Sequence, residues 1–156
     1  MKTLYEQDQM GWVILGFGLP PLFIIPIIYA VVPKQPEMTL ILGVTYLILI
    51  VVPILFYKAR IDLNIERVRF SFGPGLISKS IPLSEIKSFK PTTLTVLDGY
   101  GIRMSRKGWL YNVSGSEAVA FELHSGKIVR FGTDEPSRLC AAVKRALGDI
   151  KETDNA

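Results

Sequence analysis

The sequence predicts a transmembrane α-helical hairpin followed by a strongly bent antiparallel β-sheet of about seven strands, which a C-terminal α-helix caps. Two long apolar runs without charged residues are each of a length that crosses a bilayer. From Lys58 onward, short runs alternate apolar with polar side chains between glycine- and proline-containing turns, as β-strands do. The last element changes to apolar residues at every fourth position, which is typical of an amphipathic helix.

Residues 1–57 form the predicted membrane part. Its spans cover about 11–32 and 38–57, and at roughly 1.5 Å per residue helices of this length cross a hydrocarbon core of about 30 Å. The short connection 33–37 makes the spans antiparallel. Because basic residues concentrate beyond the second span, whereas the connection offers only Lys34, we expect a multi-pass protein of the inner (cytoplasmic) membrane. Both termini and the soluble domain are then cytoplasmic.

The first span contains three prolines. Pro20, Pro21 and Pro26 each remove or weaken a helical hydrogen bond, which predicts a kink or local unwinding. A bent anchor explains them better than a substrate site, since the span holds no acid, base or amide. A secretory signal peptide is the alternative, and it is opposed by Glu6 and Asp8 before the span and by the lack of a small-x-small cleavage site after it.

The first predicted hairpin of the soluble domain follows the second span directly. Alternation of apolar residues places it over 61–72, with its turn at Glu66–Arg67. Pro82 cannot donate to a ladder, so the next strand must end there or lie at a sheet edge. The remaining predicted strands lie at 76–83, 84–89, 102–104, 109–113, 119–123 and 129–131.

A helix closes the predicted domain. Polar residues at 133–134 can cap its start, and apolar residues recur at every fourth position over 139–147. Gly148 is placed to end the helix. The soluble domain is therefore predicted to cover 58–148, followed by a polar, frayed tail at 149–156.

Basic residues gather in the half of this domain nearest the spans. Residues 58–110 carry ten basic and four acidic groups, whereas 111–156 carry six and seven. Each cation close to an anionic leaflet contributes roughly 1 kcal/mol of attraction, so this half could contact the membrane surface or lipid headgroups. A positive-inside bias on a solvated surface explains the charge equally well. The candidate contact residues are Lys58, Arg60, Arg67, Arg69, Arg103, Arg106 and Lys107.

Five motifs occur in a fixed order along the soluble domain. They are Phe72-Gly-Pro-Gly-Leu76, Ile81-Pro-Leu-Ser-Glu-Ile86, Gly101-Ile-Arg103, Gly108-Trp-Leu-Tyr-Asn-Val113 and Phe131-Gly-Thr-Asp-Glu-Pro136. Together they resemble bacterial pleckstrin-homology-like (PH-like) domains over roughly residues 59–148, and the two-span leader is similar to membrane-anchored members of that group. The resemblance implies a seven-strand barrel-like sheet capped by a C-terminal helix. It supplies no catalytic residue, since the molecular role of these proteins is mostly unassigned.

Residue types that carry chemistry are sparse. His124 is the only histidine and lies in a predicted turn, and Cys140 is the only cysteine, so neither a metal cluster of recognised spacing nor an intramolecular disulfide is expected. The chain has no Gly-x-Ser-x-Gly turn. No aromatic platform is interleaved with the basic residues, which disfavours nucleic acid. We therefore expect no enzyme and no cofactor.

Two functions remain as expectations. The first is a membrane-anchored, non-catalytic scaffold or adaptor that binds a protein partner at an open sheet edge or at the barrel mouth. The alternative is a module that binds anionic lipid headgroups through its basic loops. The sequence identifies neither the partner nor the biological process.

Overall fold

The structure is a computed structural model that describes residues 3–32, 35–105 and 108–153. Two apolar helices interrupt its first sheet. Strand β1 (Tyr5–Met10) precedes helices α1 (Trp12–Val31) and α2 (Pro36–Phe56), and strand β2 (Lys58–Leu63) follows them. The later elements are β3 (Arg67–Phe72), β4 (Ile77–Pro82), β5 (Ile86–Thr93), β6 (Gly101–Ser105), β7 (Gly108–Asn112), β8 (Glu117–Leu123), β9 (Ile128–Gly132) and α3 (Pro136–Thr153).

Helices α1 and α2 confirm the two predicted apolar segments. Both are long and apolar enough to cross a membrane, and no residue of α1 is buried within the protein. At about 1.5 Å per residue, their 20 and 21 residues reach roughly 30 Å. Of the predicted kink or local unwinding, the unwinding is wrong, because α1 is helical throughout, including at Pro20, Pro21 and Pro26.

The strands form two sheets, which do not close into the predicted barrel. The first is antiparallel with the order β1-β2-β3-β4, and the second has the order β5-β8-β9-β7-β6. The described residues contain nine strands rather than about seven. One pair, β7 with β9, is parallel, so the second sheet is mixed. Strand β4 is an edge strand that ends at Pro82. This confirms the prediction, which was made because proline has no N–H to donate to a ladder.

Strand β1 was not predicted as part of the sheet. It pairs with β2 in register, with Asp8 opposite Arg60 and Met10 opposite Lys58. The predicted boundary between residues 57 and 58 therefore runs through one sheet. The side chains of β1 alternate between inward and outward positions, but the inward ones are largely polar. The strand therefore shows no alternation of apolar and polar residues by which the sequence would predict it.

The hydrophobic core lies between the two sheets. Its centre is aromatic: the ring centroids of Phe70 lie 4.9 Å from Phe72 and 5.2 Å from Phe131. Helix α3 adds Leu139 and Val143, which are fully buried. At about 25 cal/mol per Å² of apolar surface, this layer is the main source of the domain's stability.

Helix α3 begins at Pro136, so Glu135 occupies the capping position rather than the predicted Thr133 or Asp134, and its end also differs from the prediction. The backbone N–H of Glu135 donates to Oγ1 of Thr133 over 3.1 Å, immediately before the helix. The helix passes through Gly148 and ends at Thr153, because a glycine inside a helix costs only about 1 kcal/mol and does not by itself stop it. The predicted polar tail is thus helical over 149–153, and 154–156 lie outside the described residues.

The sheet is joined tightly to the helices at one end. The N–H of Gly11 donates to the carbonyl of Tyr57 over 2.7 Å, so the β1–β2 ladder continues to the point where α1 begins and α2 ends. We call this end, at Met10, Lys58 and Phe72, the base of the domain. The opposite end, at Tyr5, Leu63 and Arg67, is the far end.

Candidate functional site

The predicted basic contacts do not form one surface. Lys58 begins β2 at the base, but the register that pairs Leu63 with Val68 carries Arg67 to the far end. At about 3.3 Å per residue, the six residues of β2 separate the two ends by roughly 17 Å. Arg67 is therefore too far from the helices to contact the same surface as Lys58.

Two of the predicted basic residues, Lys58 and Arg60, are neutralised by carboxylates of β1. The guanidinium of Arg60 makes a bidentate contact with Asp8, with Nε–Oδ1 at 2.7 Å and Nη2–Oδ2 at 3.0 Å, and its Nη1 lies 3.1 Å from Oε1 of Glu6. Lys58 Nζ lies 3.8 Å from the same Asp8 carboxylate. The hydrogen bond from Arg60 lowers the pKa of Asp8, which remains charged at neutral pH. These cations are already engaged by carboxylates of their own chain.

A polar groove of about 340 Å³ lies beside them at the base. Arg69 lines it and donates from Nη2 to Oγ of Ser78 over 3.3 Å, while its buried Nε has no partner among the described residues. Asp62 lines the same groove, and burial raises the pKa of its carboxyl. The other lining residues are Tyr57, Lys58, Arg60, Ser71, Gly73, Pro74 and Gly75.

The remaining predicted cations lie elsewhere. Arg103, on the edge strand β6, lies with its guanidinium against Gly99. Arg106 and Lys107 lie outside the described residues. The structure therefore brings together Lys58, Arg60 and Arg69 of the predicted set.

A buried ion pair on the second sheet was not predicted. Arg130 and Asp98 are both almost inaccessible, and Nη1 of Arg130 lies 2.9 Å from Oδ1 of Asp98. The N–H and hydroxyl of Thr95 also donate to Asp98, and these hydrogen bonds together with Arg130 hold the pKa of the carboxyl well below its usual range. Nη2 of Arg130 donates to Ser105 over 2.9 Å. The pair fastens the β5–β6 connection onto the sheet, which is a structural role.

The titratable residues singled out in the sequence do not converge. His124 is exposed in the β8–β9 turn, where its backbone N–H donates to the backbone carbonyl of Glu85 over 2.9 Å. Cys140 is half-buried on α3, and burial raises the pKa of its thiol. Over the described part of the chain, no three His, Cys, Asp or Glu side chains are grouped so as to hold a metal ion.

A second groove lies at the far end, between β1 and α3. Its volume is about 460 Å³. β1 is the edge strand of its sheet, and in an antiparallel ladder alternate residues direct their N–H and C=O groups away from the paired neighbour. The groove residues are Leu4, Tyr5, Glu6, Glu135, Arg138, Ala141, Ala142 and Arg145.

The chemistry of this groove differs along its length. Glu135 pairs with Arg138, with Nη1–Oε1 at 2.7 Å, and burial together with Glu135 raises the pKa of Tyr5 to about 12. Ala141 and Ala142 leave the helix surface open between the arginines. Arg145 is exposed. The groove thus combines the edge of strand β1, small side chains and an exposed positive charge.

The sequence reasoning missed this groove because it missed β1. A signal existed, since Glu6 and Asp8 alternate with Gln7 and Gln9, as in a strand that places its carboxylates on one face. Comparisons with protein-family models, curated proteins and solved structures found no match to this chain.

Proposed function

We propose that this chain is a two-span membrane-anchored, non-catalytic interaction module that holds a protein partner at the cytoplasmic membrane. The observation that carries the proposal is the groove between the edge strand β1 and helix α3 at the far end of the domain. If α1 and α2 span the bilayer, this end points away from the membrane. The groove is then accessible to a soluble partner or to the cytoplasmic part of another membrane protein.

An extended segment of the partner fits this groove best. Such a segment can add to β1 as a fifth strand through main-chain hydrogen bonds, while its side chains lie against α3. The small side chains of Ala141 and Ala142 leave room for them. The exposed positive charge of Arg145 favours an acidic residue in the partner segment.

The alternative function, recognition of an anionic lipid headgroup, has one observation in its favour. The polar groove at the base contains Arg69, whose buried Nε lacks a partner among the described residues. Against it, Asp8 and Glu6 already neutralise Lys58 and Arg60. An added anion would have to compete with these carboxylates, so we favour the protein partner.

We also propose that the domain is a PH-like fold. A C-terminal helix, α3, follows the strands, as the resemblance implies, but the strands exceed the seven that it implies. The β6–β7 hairpin belongs to the resembling region, because two of the five motifs lie on these strands. On this proposal the first strand of the domain precedes the two spans.

Site-specific photocrosslinking in cells tests the interaction. A photoreactive residue in place of Ala142 should give a reproducible adduct with one partner, whereas the same residue in place of Ile65, in a turn at the far end but outside the groove, should not. Equal labelling at the two positions, or no adduct at Ala142, would contradict the proposal.

Two charge reversals on α3 sharpen the test. Arg145→Glu should lower the yield of the Ala142 adduct about tenfold, a change of about 1.4 kcal/mol, because the partner's acidic residue is now repelled. Lys144→Glu is the matched control, since Lys144 is exposed on the same helix but does not line the groove. A similar loss in both variants would show that only the general charge of the helix matters.

A further inference from the structure

We propose that the turn between β3 and β4, residues 73–76, inserts the side chain of Leu76 into the bilayer interface beside α2. The domain would then contact lipid through a third, non-spanning element. This inference rests on the membrane anchorage in the proposed function. It further specifies how the soluble domain is oriented on the leaflet.

The position of the turn carries the inference. The N–H of Gly73 donates to the carbonyl of Lys58 over 2.7 Å. Gly73 also packs on the last turn of α2 so closely that a Cβ would lie 2.6 Å from the carbonyl oxygen of Leu55 and 2.8 Å from that of Ile54. The turn therefore lies at the level of apolar residues of the second helix, not beyond its end.

The composition of the turn fits an apolar environment. No charged residue occurs from Phe72 to Ser78. Leu76 is 78% exposed, so nothing within the protein covers this large apolar side chain. Gly75, with φ at 90°, donates its N–H to the carbonyl of Phe72 over 2.8 Å and so satisfies one backbone donor inside the turn. A turn that satisfies its own polar groups is better suited to enter the interface.

Aromatic residues mark the same level on the helices. Trp12, 69% exposed, begins α1, and Tyr57 follows α2 directly. The hydrogen bond between Gly11 and Tyr57 places these two ends side by side. Tryptophan and tyrosine are enriched where a span meets the headgroups, so the turn is beside the expected interface.

The turn at the other end of β3 provides an internal contrast. Consecutive turns of an antiparallel meander lie at opposite ends of the sheet, so residues 64–66 are at the far end. That turn also has an exposed apolar residue, Ile65 at 54%, but Asn64 and Glu66 flank it. Two exposed aliphatic side chains on one sheet are therefore expected to differ in environment, with Leu76 in lipid and Ile65 in water.

Fluorescence of the full-length protein in phosphatidylcholine–phosphatidylglycerol vesicles tests this difference. Leu76→Cys and Ile65→Cys, each in a Cys140→Ala background, are labelled with an environment-sensitive fluorophore. The label at Leu76 should emit to the blue and be quenched by a shallow nitroxide lipid. The label at Ile65 should show neither effect.

A label in the middle of α1 separates the two possible failures. Phe23→Cys, at a position 74% exposed on α1, reports whether the helix is in the bilayer. Quenching at Phe23 with water-like emission at Leu76 overturns this inference and leaves the proposed anchorage standing. Water-like emission at both positions overturns both.

A second measurement does not depend on a large label. A membrane-impermeant maleimide should react several-fold more slowly with the Leu76→Cys variant in vesicles than with the Ile65→Cys variant, since burial in lipid shields the thiol and disfavours its thiolate. When the two variants are unfolded in denaturant, the two labelling rates should become equal. Equal rates in vesicles would overturn the inference.

Discussion

The base and the far end of the two-sheet domain are made by the same strands, yet they differ in how tightly they are held. At the base, Gly11 and Gly73 let backbone pack directly on the ends of the helices. At the far end, the chain carries charged residues around an open groove that ends at Arg145. The turns and edges of the sheet, rather than its ladder, therefore set which environment each end can meet.

The largest expected effect tests the tight packing of the base. Gly73→Ala should lower the free energy of unfolding by about 3 kcal/mol, because φ at 48° strains an alanine and its Cβ overlaps backbone that cannot move aside. Gly75→Ala is the matched control. It also has a positive φ but open space around its Cβ, so it should cost only about 1 kcal/mol. Thermal unfolding of both full-length variants in one detergent measures the difference, and equal losses would mean that close packing is not what holds the base.

A smaller effect tests whether β1 belongs to the domain. Nε2 of Gln9 donates to the carbonyl of Ser114 over 3.1 Å and to Oδ1 of Asp134 over 2.7 Å, which ties β1 to the second sheet. Gln9→Leu should therefore cost about 2 kcal/mol in unfolding free energy, since it leaves the carbonyl of Ser114 without this donor in a buried site.

The control for this prediction lies on the same strand. Glu6→Gln changes an exposed position whose contact with Arg60 is on the surface, and it should cost less than about 0.5 kcal/mol. Chemical denaturation of the full-length protein measures both. If Gln9→Leu is as mild as Glu6→Gln, then β1 is only an appended strand.

The smallest effect is a pH dependence of the β1–β2 pairing. The folded-state pKa of Asp8 lies below the ordinary value of 3.8 for an aspartate, so its contribution to stability is present above that value and is lost as pH falls through the folded pKa. Because both partners are substantially exposed, the loss should stay under about 1 kcal/mol. Asp62 acts oppositely, since burial raises its pKa and protonation therefore favours the folded state.

Unfolding curves from pH 6 to pH 3 measure this contribution. In Asp8→Asn the decline below about pH 4 should be shallower than in the unchanged protein, because the titrating carboxylate is gone. An identical decline in the two proteins would assign the acid sensitivity to other carboxylates.

Much of the fold was predictable from local patterns. The two apolar helices follow from uncharged runs, and the hairpins β2–β3, β6–β7 and β8–β9 follow from alternation around polar turns. The edge position of β4 follows from the missing donor of Pro82. In each case the decisive signal lies within a few neighbouring residues.

The parts that failed depend on residues distant in sequence. Gln7 and Gln9 look like a polar leader until Thr133 and Asp134 supply their partners, and both contacts join opposite ends of the chain. The surroundings of the predicted basic contact residues also depend on distant parts of the chain. Arg60 adds to the positive charge counted in the sequence, but the carboxylate of Asp8 on β1 neutralises its guanidinium. Only the register of β1 against β2 places the two side chains together.

The order of β1, the two apolar helices and β2 has a consequence for how the protein is made. β1 leaves the ribosome first, but its partner strand is synthesised only after both helices. On the proposed topology, β1 remains unpaired at the cytoplasmic face until both helices have inserted and β2 has been synthesised. The first sheet can then form only if both helices cross the bilayer, because β1 and β2 would lie on opposite sides of it if only one helix crossed. On that topology, the first sheet can be completed only after correct membrane insertion.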